Sequence, residues 1–342
     1  MKRLNIKSLG ISLAMIAAVL NGCQTKNETA EDNLGKIEYE LVEDWPQLPP
    51  GYQLGQPTGI GIDSDGHIFV FHRASRRWTE PFPDSLISEN TILELESETG
   101  KLVNSWGANS FIMPHGLTVD RENNIWLTDV GLHQVFKFSQ DGQLLMKLGV
   151  AKTPGNDSLH FNLPTDVDIA KDGSFYVSDG YGNSRVVKFS PSGNYLFEWG
   201  TFGDQEGQFN TPHGITLDDK GNVYVADRQN NRIQKFDSMG VFLKEIKNNE
   251  EVAQIPSVTI DEKQILYAID YDFADTVIKG STVFQYGADD QVAFKFGGIG
   301  TNARTPSWYH DISVDRSGNI YVGDIYGIKI RKFRIKPVVE NQ

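Results

Sequence analysis

Three of the seven histidines in this 342-residue chain stand in near-copies of one phrase. Pro114-His115-Gly116 opens PHGLTVD, Pro212-His213-Gly214 opens PHGITLD, and Tyr309-His310-Asp311 opens YHDISVD. Imidazole suits zinc and other divalent ions, and three protein ligands leave a coordination position for water or substrate. An ion held in that way acidifies a bound hydroxyl. A lone histidine more often just fills a polar spot at a strand start. Three at one repeat position call for a shared partner, and a metal ion is the simplest.

The elements that must position them are repeats. Six segments align: PTGIGID from Pro57, PHGLTVD from Pro114, PTDVDIA from Pro164, PHGITLD from Pro212, PSVTID from Pro256 and YHDISVD from Tyr309. Each precedes a turn such as DSDG, RENN or DDKG and then an alternating run such as NIWLTDV or NVYVADR. A third run (HQVFKFS, NRIQKFD) and a fourth (GQLLMKLG, GNYLFEWG) complete each unit. Four short strands rich in Val, Ile, Tyr, Phe and Trp, recurring with turn residues between them, are propeller blades. The pattern resembles NHL-type repeats and predicts an all-β, six-bladed β-propeller over residues 37–337. The sixth unit lacks an outer strand after KIRKFRIK, and the segment Ile37–Asp44 is predicted to supply it.

The first strand of a propeller blade lines the central channel, so residues at one repeat phase form a ring. That ring reads Thr58, His115, Thr165, His213, Ser257 and His310, with the histidines on alternate blades. Fourteen residues on, thirteen in the short fifth unit, stand His72, Asp129, Asp179, Asp227, Asp270 and Asp324. These aspartates are predicted to be structural acceptors for backbone N–H groups. The next residue varies: it is Arg73 in the first blade and Arg228 in the fourth, while the third continues Gly180-Tyr181. A guanidinium at the channel mouth is suited to a substrate carboxylate. Pairing with the blade aspartates is the alternative. The loop after Arg73 is long and carries Arg76, Arg77 and Trp78, and long loops on a rigid ring tend to carry function.

The start of the chain addresses a different question. Lys2, Arg3 and Lys7 precede an apolar run, Leu9–Leu20, which reads as a leader core and is short for a membrane span. It ends in Leu20-Asn21-Gly22-Cys23, which resembles the lipobox of bacterial lipoproteins and implies a lipid on Cys23, the sole cysteine. The expectation is a leader over 1–22, the lipidated Cys23 with a polar tether to residue 36, and an exported protein held at a membrane by its anchor, facing periplasm or cell surface. With no thiol left for a disulfide, the fold must rest on its core. The net charge of −13 grows more negative once the basic leader is gone, which disfavours nucleic acid as a partner.

FHR at Phe71–Arg73, MPHGLTVD at Met113–Asp120, WLTDVGLHQVFKF at Trp126–Phe138 and VSDGYGNSRVVKFSPSG at Val177–Gly193 run in order with GQFNTPHGITL and ADRQNNRIQKF. Together they resemble the peptidyl-α-hydroxyglycine α-amidating lyases over roughly residues 56–334, most weakly in the fifth blade. The resemblance implies a catalytic zinc on His115, His213 and His310, an active-site Tyr181, and active-site Arg73 and Arg228. It also implies a structural calcium on Asp311 and the carbonyls of Ile60 and Leu117. The family's cysteines are replaced by Gly182 and Tyr224, and its Met-Pro-His-Asp becomes Trp308-Tyr309-His310-Asp311, which puts a bulky ring beside the site.

The implied reaction releases an amide and glyoxylate from a peptide or acyl group ending in α-hydroxyglycine, with Tyr181 as base. A free phenol titrates near 10, so that role needs a neighbouring cation. The substrate carries a terminal carboxylate and would come from a separate hydroxylase, and the chain is expected to act as a monomer. Two other readings remain open. One is a non-catalytic binding platform on the membrane, and the other is a related metal-dependent propeller enzyme with another substrate. Phosphate-binding loops, Cys-x-x-Cys pairs and Gly-x-Ser-x-Gly elbows are absent from the sequence.

Overall fold

The computed structural model describes residues 38–247, 253–274, 277–297 and 306–336. The leader, Cys23 and the tether lie outside these residues. Six antiparallel sheets form, one for each repeat. The first blade runs Pro57–Ile62, Ile68–His72, Ile92–Leu95 and Leu102–Trp106, and the second Pro114–Val119, Ile125–Asp129, Gln134–Phe138 and Leu144–Leu148. The third to fifth open with Asp166–Ile169, Pro212–Leu217 and Gln254–Ile260. The fifth carries an extra strand, Val277–Gly280, paired with Leu266–Ala274, where the repeat is weakest in sequence.

The sixth blade closes the ring as the repeat count requires. Tyr309–Val314, Ile320–Asp324 and Lys329–Ile335 take Tyr39–Leu41 as a fourth, outer strand, with Tyr39 opposite Ile335 and Leu41 opposite Phe333. Within the predicted segment Ile37–Asp44, only Tyr39–Leu41 pair as strand among the described residues. Tyr39 stacks on Phe296 at 4.9 Å between ring centroids, so the N-terminal strand bridges the sixth blade to the fifth.

Period-two alternation explains where the core lies. The second strands of the second, third and fourth blades are buried along their whole length, because both faces meet neighbouring blades. The fourth strands keep exposed positions at the rim. Trp126, Tyr176, Tyr321, Phe71 and Phe111 fill the wedges between blades.

The aspartate ring fastens each blade to the loop that leads into it. Asp129 accepts N–H bonds from Ile112 and Met113 at 2.8 and 2.9 Å, Asp179 from Asn162, Asp227 from Asn210, and Asp324 from Trp308. Asp129 also takes Leu132 N–H and Asp324 takes Gly327 N–H, in the turns after their strands. His72 does the same work with Nδ1, which accepts from Gly55 and Ala74. Asp179, Asp227 and Asp324 pair with Arg185, Arg232 and Arg331, each within 3.0 Å, rather than with Arg73 or Arg228. Among the described residues no helix is long and apolar enough to cross a membrane.

Candidate metal centre and active site

His115, His213 and His310 are each the second residue of an inner strand. In all three blades the pairing register shifts there: between Pro114 and Leu117, Pro212 and Ile215, Tyr309 and Asp311. A bulge bends the strand and re-aims a side chain, which turns the imidazoles toward the axis. Glycine follows two of them because the next inner strand approaches closely. A Cβ on Gly116 would stand 2.7 Å from both the Thr165 carbonyl and an Asp166 carboxylate oxygen.

The three rings converge, with centroids 4.7, 4.7 and 5.0 Å apart. Each Nδ1 donates to a carbonyl of the following blade: His115 to Thr165 at 2.6 Å, His213 to Pro256 at 2.7 Å and His310 to Thr58 at 2.8 Å. A carbonyl only accepts, so the proton sits on Nδ1 and the Nε2 lone pair is free. Burial pushes His115 and His213 well below the ordinary imidazole range and His310 down to about 3, with the neighbouring imidazoles and Arg73 and Arg228 adding to it. Three neutral, converging Nε2 atoms with fixed tautomers are a donor set that fits a divalent ion. The alternating hydroxyl residues prove to be neighbours through their backbone. In the shortened fifth blade the phase slips, and Pro256 supplies the carbonyl in place of Ser257.

Tyr181 covers this set. Its hydroxyl lies 3.1 Å from His115 Nε2 and 3.0 Å from His213 Nε2, and Arg228 Nη1 donates to it at 3.2 Å. Arg228 Nε is buried with no hydrogen-bond partner among the described residues. Arg73 is buried, which pushes it down to about 10, and it donates to the Pro114 carbonyl and to Gln56. Its guanidinium lies 5.1 Å over Trp78, whose ring packs 5.2 Å from Tyr181. The long loop therefore reaches the site through Trp78. Trp308 stacks on Tyr271 at 4.5 Å, in the blade facing Arg228.

Deeper in the channel a cavity of about 260 Å³ is lined by Ile60, Leu117, Asp166, Asp168 and Asp311 among others. Asp311 accepts from Ile60 N–H at 2.7 Å and Ser257 Oγ at 2.6 Å, while the Ile60 carbonyl accepts from Ser313. Burial pushes Asp311 and Asp168 up to about 6, and burial together with Asp311 holds Asp166 well above the carboxylate range. Asp166 and Asp168 were not singled out from the sequence. The signal was there: PTDVDIA and YHDISVD share an aspartate at their third place, on blades opposite one another in a ring of six.

The NHL repeat family model matches residues 111–138, 161–189 and 209–236. Peptidyl-glycine alpha-amidating monooxygenase B of Xenopus laevis is 36% identical over 331 residues, covering 91% of this chain and 37% of the relative. Peptidyl-alpha-hydroxyglycine alpha-amidating lyase 1 of Drosophila melanogaster is 33% identical over 365 residues, covering 93% of this chain and 64% of the relative. The chain spans about a third of the length of the first relatives it matches. Virginiamycin B lyase from Staphylococcus aureus has a similar structure, with a TM-score of 0.56 and 16% identity over 90% of each chain. That likeness speaks for the propeller fold alone.

Proposed function

Because this chain is an NHL-repeat β-propeller homologous to the peptidyl-α-hydroxyglycine α-amidating lyases, we propose that it is a lyase cleaving the C–N bond of α-hydroxyglycine-terminated peptides or N-acyl-α-hydroxyglycines. The products are an amide and glyoxylate. The observation that carries this reading is the Tyr181 hydroxyl, held over two Nε2 atoms by Arg228.

His115, His213 and His310 would hold zinc, which supplies Lewis acidity toward the substrate hydroxyl. Tyr181 takes the hydroxyl proton. The C–O bond becomes the glyoxylate carbonyl as the C–N bond breaks, its electron pair goes to the amide nitrogen, and Tyr181 returns the proton there. Arg228, with a free Nε, and Arg73 hold the substrate carboxylate and set the hydroxyl against Tyr181. Trp78 shields this cluster from water. Trp308, stacked on Tyr271, offers an aromatic wall to the acyl group. A calcium ion would sit lower in the channel on Asp311 and the Ile60 and Leu117 carbonyls, with Asp166 as an added oxygen donor.

The test is direct. The chain from Gln24 onward is incubated with α-hydroxyhippurate and glyoxylate is measured with and without a chelator. Chelator-sensitive release is expected. A metal-loaded protein that yields no glyoxylate removes this substrate class.

Export and lipid attachment at Cys23 are proposed on the leader sequence. Replacing Cys23 with serine is expected to move the protein from the membrane fraction to the soluble fraction. An unchanged distribution would refute the anchor.

A further inference from the structure

At the far end of each inner strand from the imidazoles, the repeats build a second polar cluster. Asp120, Asp218, Asp261 and Asp315 end the inner strands of the second, fourth, fifth and sixth blades. In the second blade three donors meet the carboxylate: Trp126 Nε1 at 2.9 Å, the Asn124 amide at 3.0 Å and Lys137 Nζ at 3.1 Å. In the fourth, Tyr224, Asn222 and Lys235 play the same parts. The pairing register fixes this, because each lysine stands opposite the aromatic residue of the second strand: Trp126 with Lys137, Tyr224 with Lys235, Tyr321 with Lys332. The third blade keeps the lysine too, with Tyr176 opposite Lys188, and the fifth puts Gln285 there.

The first blade changes all three donors. The aromatic is Phe69, which has no polar tip, and the residue opposite it is Glu94 where four other blades carry lysine. At the asparagine position stands His67. A permanent cation has been exchanged for a second carboxylate, and the one ionic partner of Asp63 and Glu94 among the described residues is His67. His67 Nδ1 lies 3.0 Å from Glu94 Oε1 and 3.5 Å from Asp63 Oδ2. The ligand atoms of all three residues fall within 4.8 Å of one another.

We infer that Asp63, His67 and Glu94 form a divalent transition-metal site, for zinc or an ion of similar ligand preference, separate from the three-histidine centre. The edges of a tetrahedron built on zinc bonds of about 2.0–2.2 Å are about 3.3–3.6 Å long, near the 3.0 and 3.5 Å from His67 Nδ1 to Glu94 and Asp63. The ligand types suit such an ion, with one imidazole and two carboxylates giving charge balance. Gln140 reaches from the second blade to hold Asp63 Oδ2 at 2.8 Å, and Asp63 Oδ1 accepts from the His67 backbone N–H. The carboxylate is thereby oriented, Glu94 is mostly covered, and His67 faces the surface. His67 has 35% of its side chain exposed, which provides an access route.

The repeats themselves supply a variant that keeps the fold. His67→Asn with Glu94→Lys writes two of the three donors of the second and fourth blades into the first and leaves Phe69 in place. The full chain and this double variant are dialysed against Zn²⁺ and their bound metal is counted, with circular dichroism and a thermal melt as folding controls. The wild-type protein is expected to hold one zinc equivalent more than the folded variant. A second measurement uses His213→Ala, which disables the central site, and one equivalent is expected to persist. Equal zinc content in wild type and double variant would overturn the inference. So would complete loss of binding in folded His213→Ala.

Discussion

Replacing Tyr181 with phenylalanine is expected to lower kcat for an α-hydroxyglycine substrate by roughly 10²–10⁴-fold, the usual contribution of a positioned proton-transfer group. KM and metal content are expected to stay near their original values. The substitution removes one oxygen and leaves the ring that packs on Trp78 and stands edge-on to His115 and His213. In the proposed mechanism the substrate carboxylate contacts belong to the arginines, so binding is expected to survive the loss of the hydroxyl. Steady-state kinetics with glyoxylate detection separate the two constants. A kcat within a few-fold of wild type would show that Tyr181 covers the site without moving a proton.

The second large effect is on stability. A chain beginning at Trp45 is expected to melt well below one beginning at Gln24. The truncation removes the Tyr39–Leu41 strand, with its ladder bonds to Phe333–Ile335 and the stacking of Tyr39 on Phe296. Three ladder positions at about 1 kcal/mol each and two half-buried apolar side chains at about 1 kcal/mol each sum to about 5 kcal/mol. At roughly 2 °C per kcal/mol for a chain of this size, the melting temperature falls by about 10 °C. The loss exceeds the local contacts if the outer edge left on Lys329–Ile335 pairs with another chain. Melting curves that superimpose would mean that the ring closes without this strand.

The ring was legible because repetition lets one phase be compared across six copies. That comparison isolates His115, His213 and His310 and explains the structural aspartates. Repeat phase leaves open whether Arg73 and Arg228 pair with those aspartates, and only the structure shows Arg185, Arg232 and Arg331 taking Asp179, Asp227 and Asp324. What stayed hidden lies between blades. The carbonyls that hold each Nδ1 are backbone atoms and leave no trace in residue type, and the Pro256 carbonyl depends on a one-residue deletion. Asp166 acts on Asp311 only through the channel, so neither blade read alone reveals it. The approach of Trp78 to Tyr181 depends on a loop that has no counterpart in the other repeats.

The bond from His310 to the Thr58 carbonyl spans 252 residues, and that from Asp311 to Ile60 spans 251. Two imidazoles are in the chain by residue 213, but the third and its anchor come from opposite ends of the ring. A nascent or truncated polypeptide therefore has no complete centre to offer an ion. For the ion proposed here, capture becomes one of the last events in the life of a new molecule, and that ion would be chosen from the supply available where the ring closes.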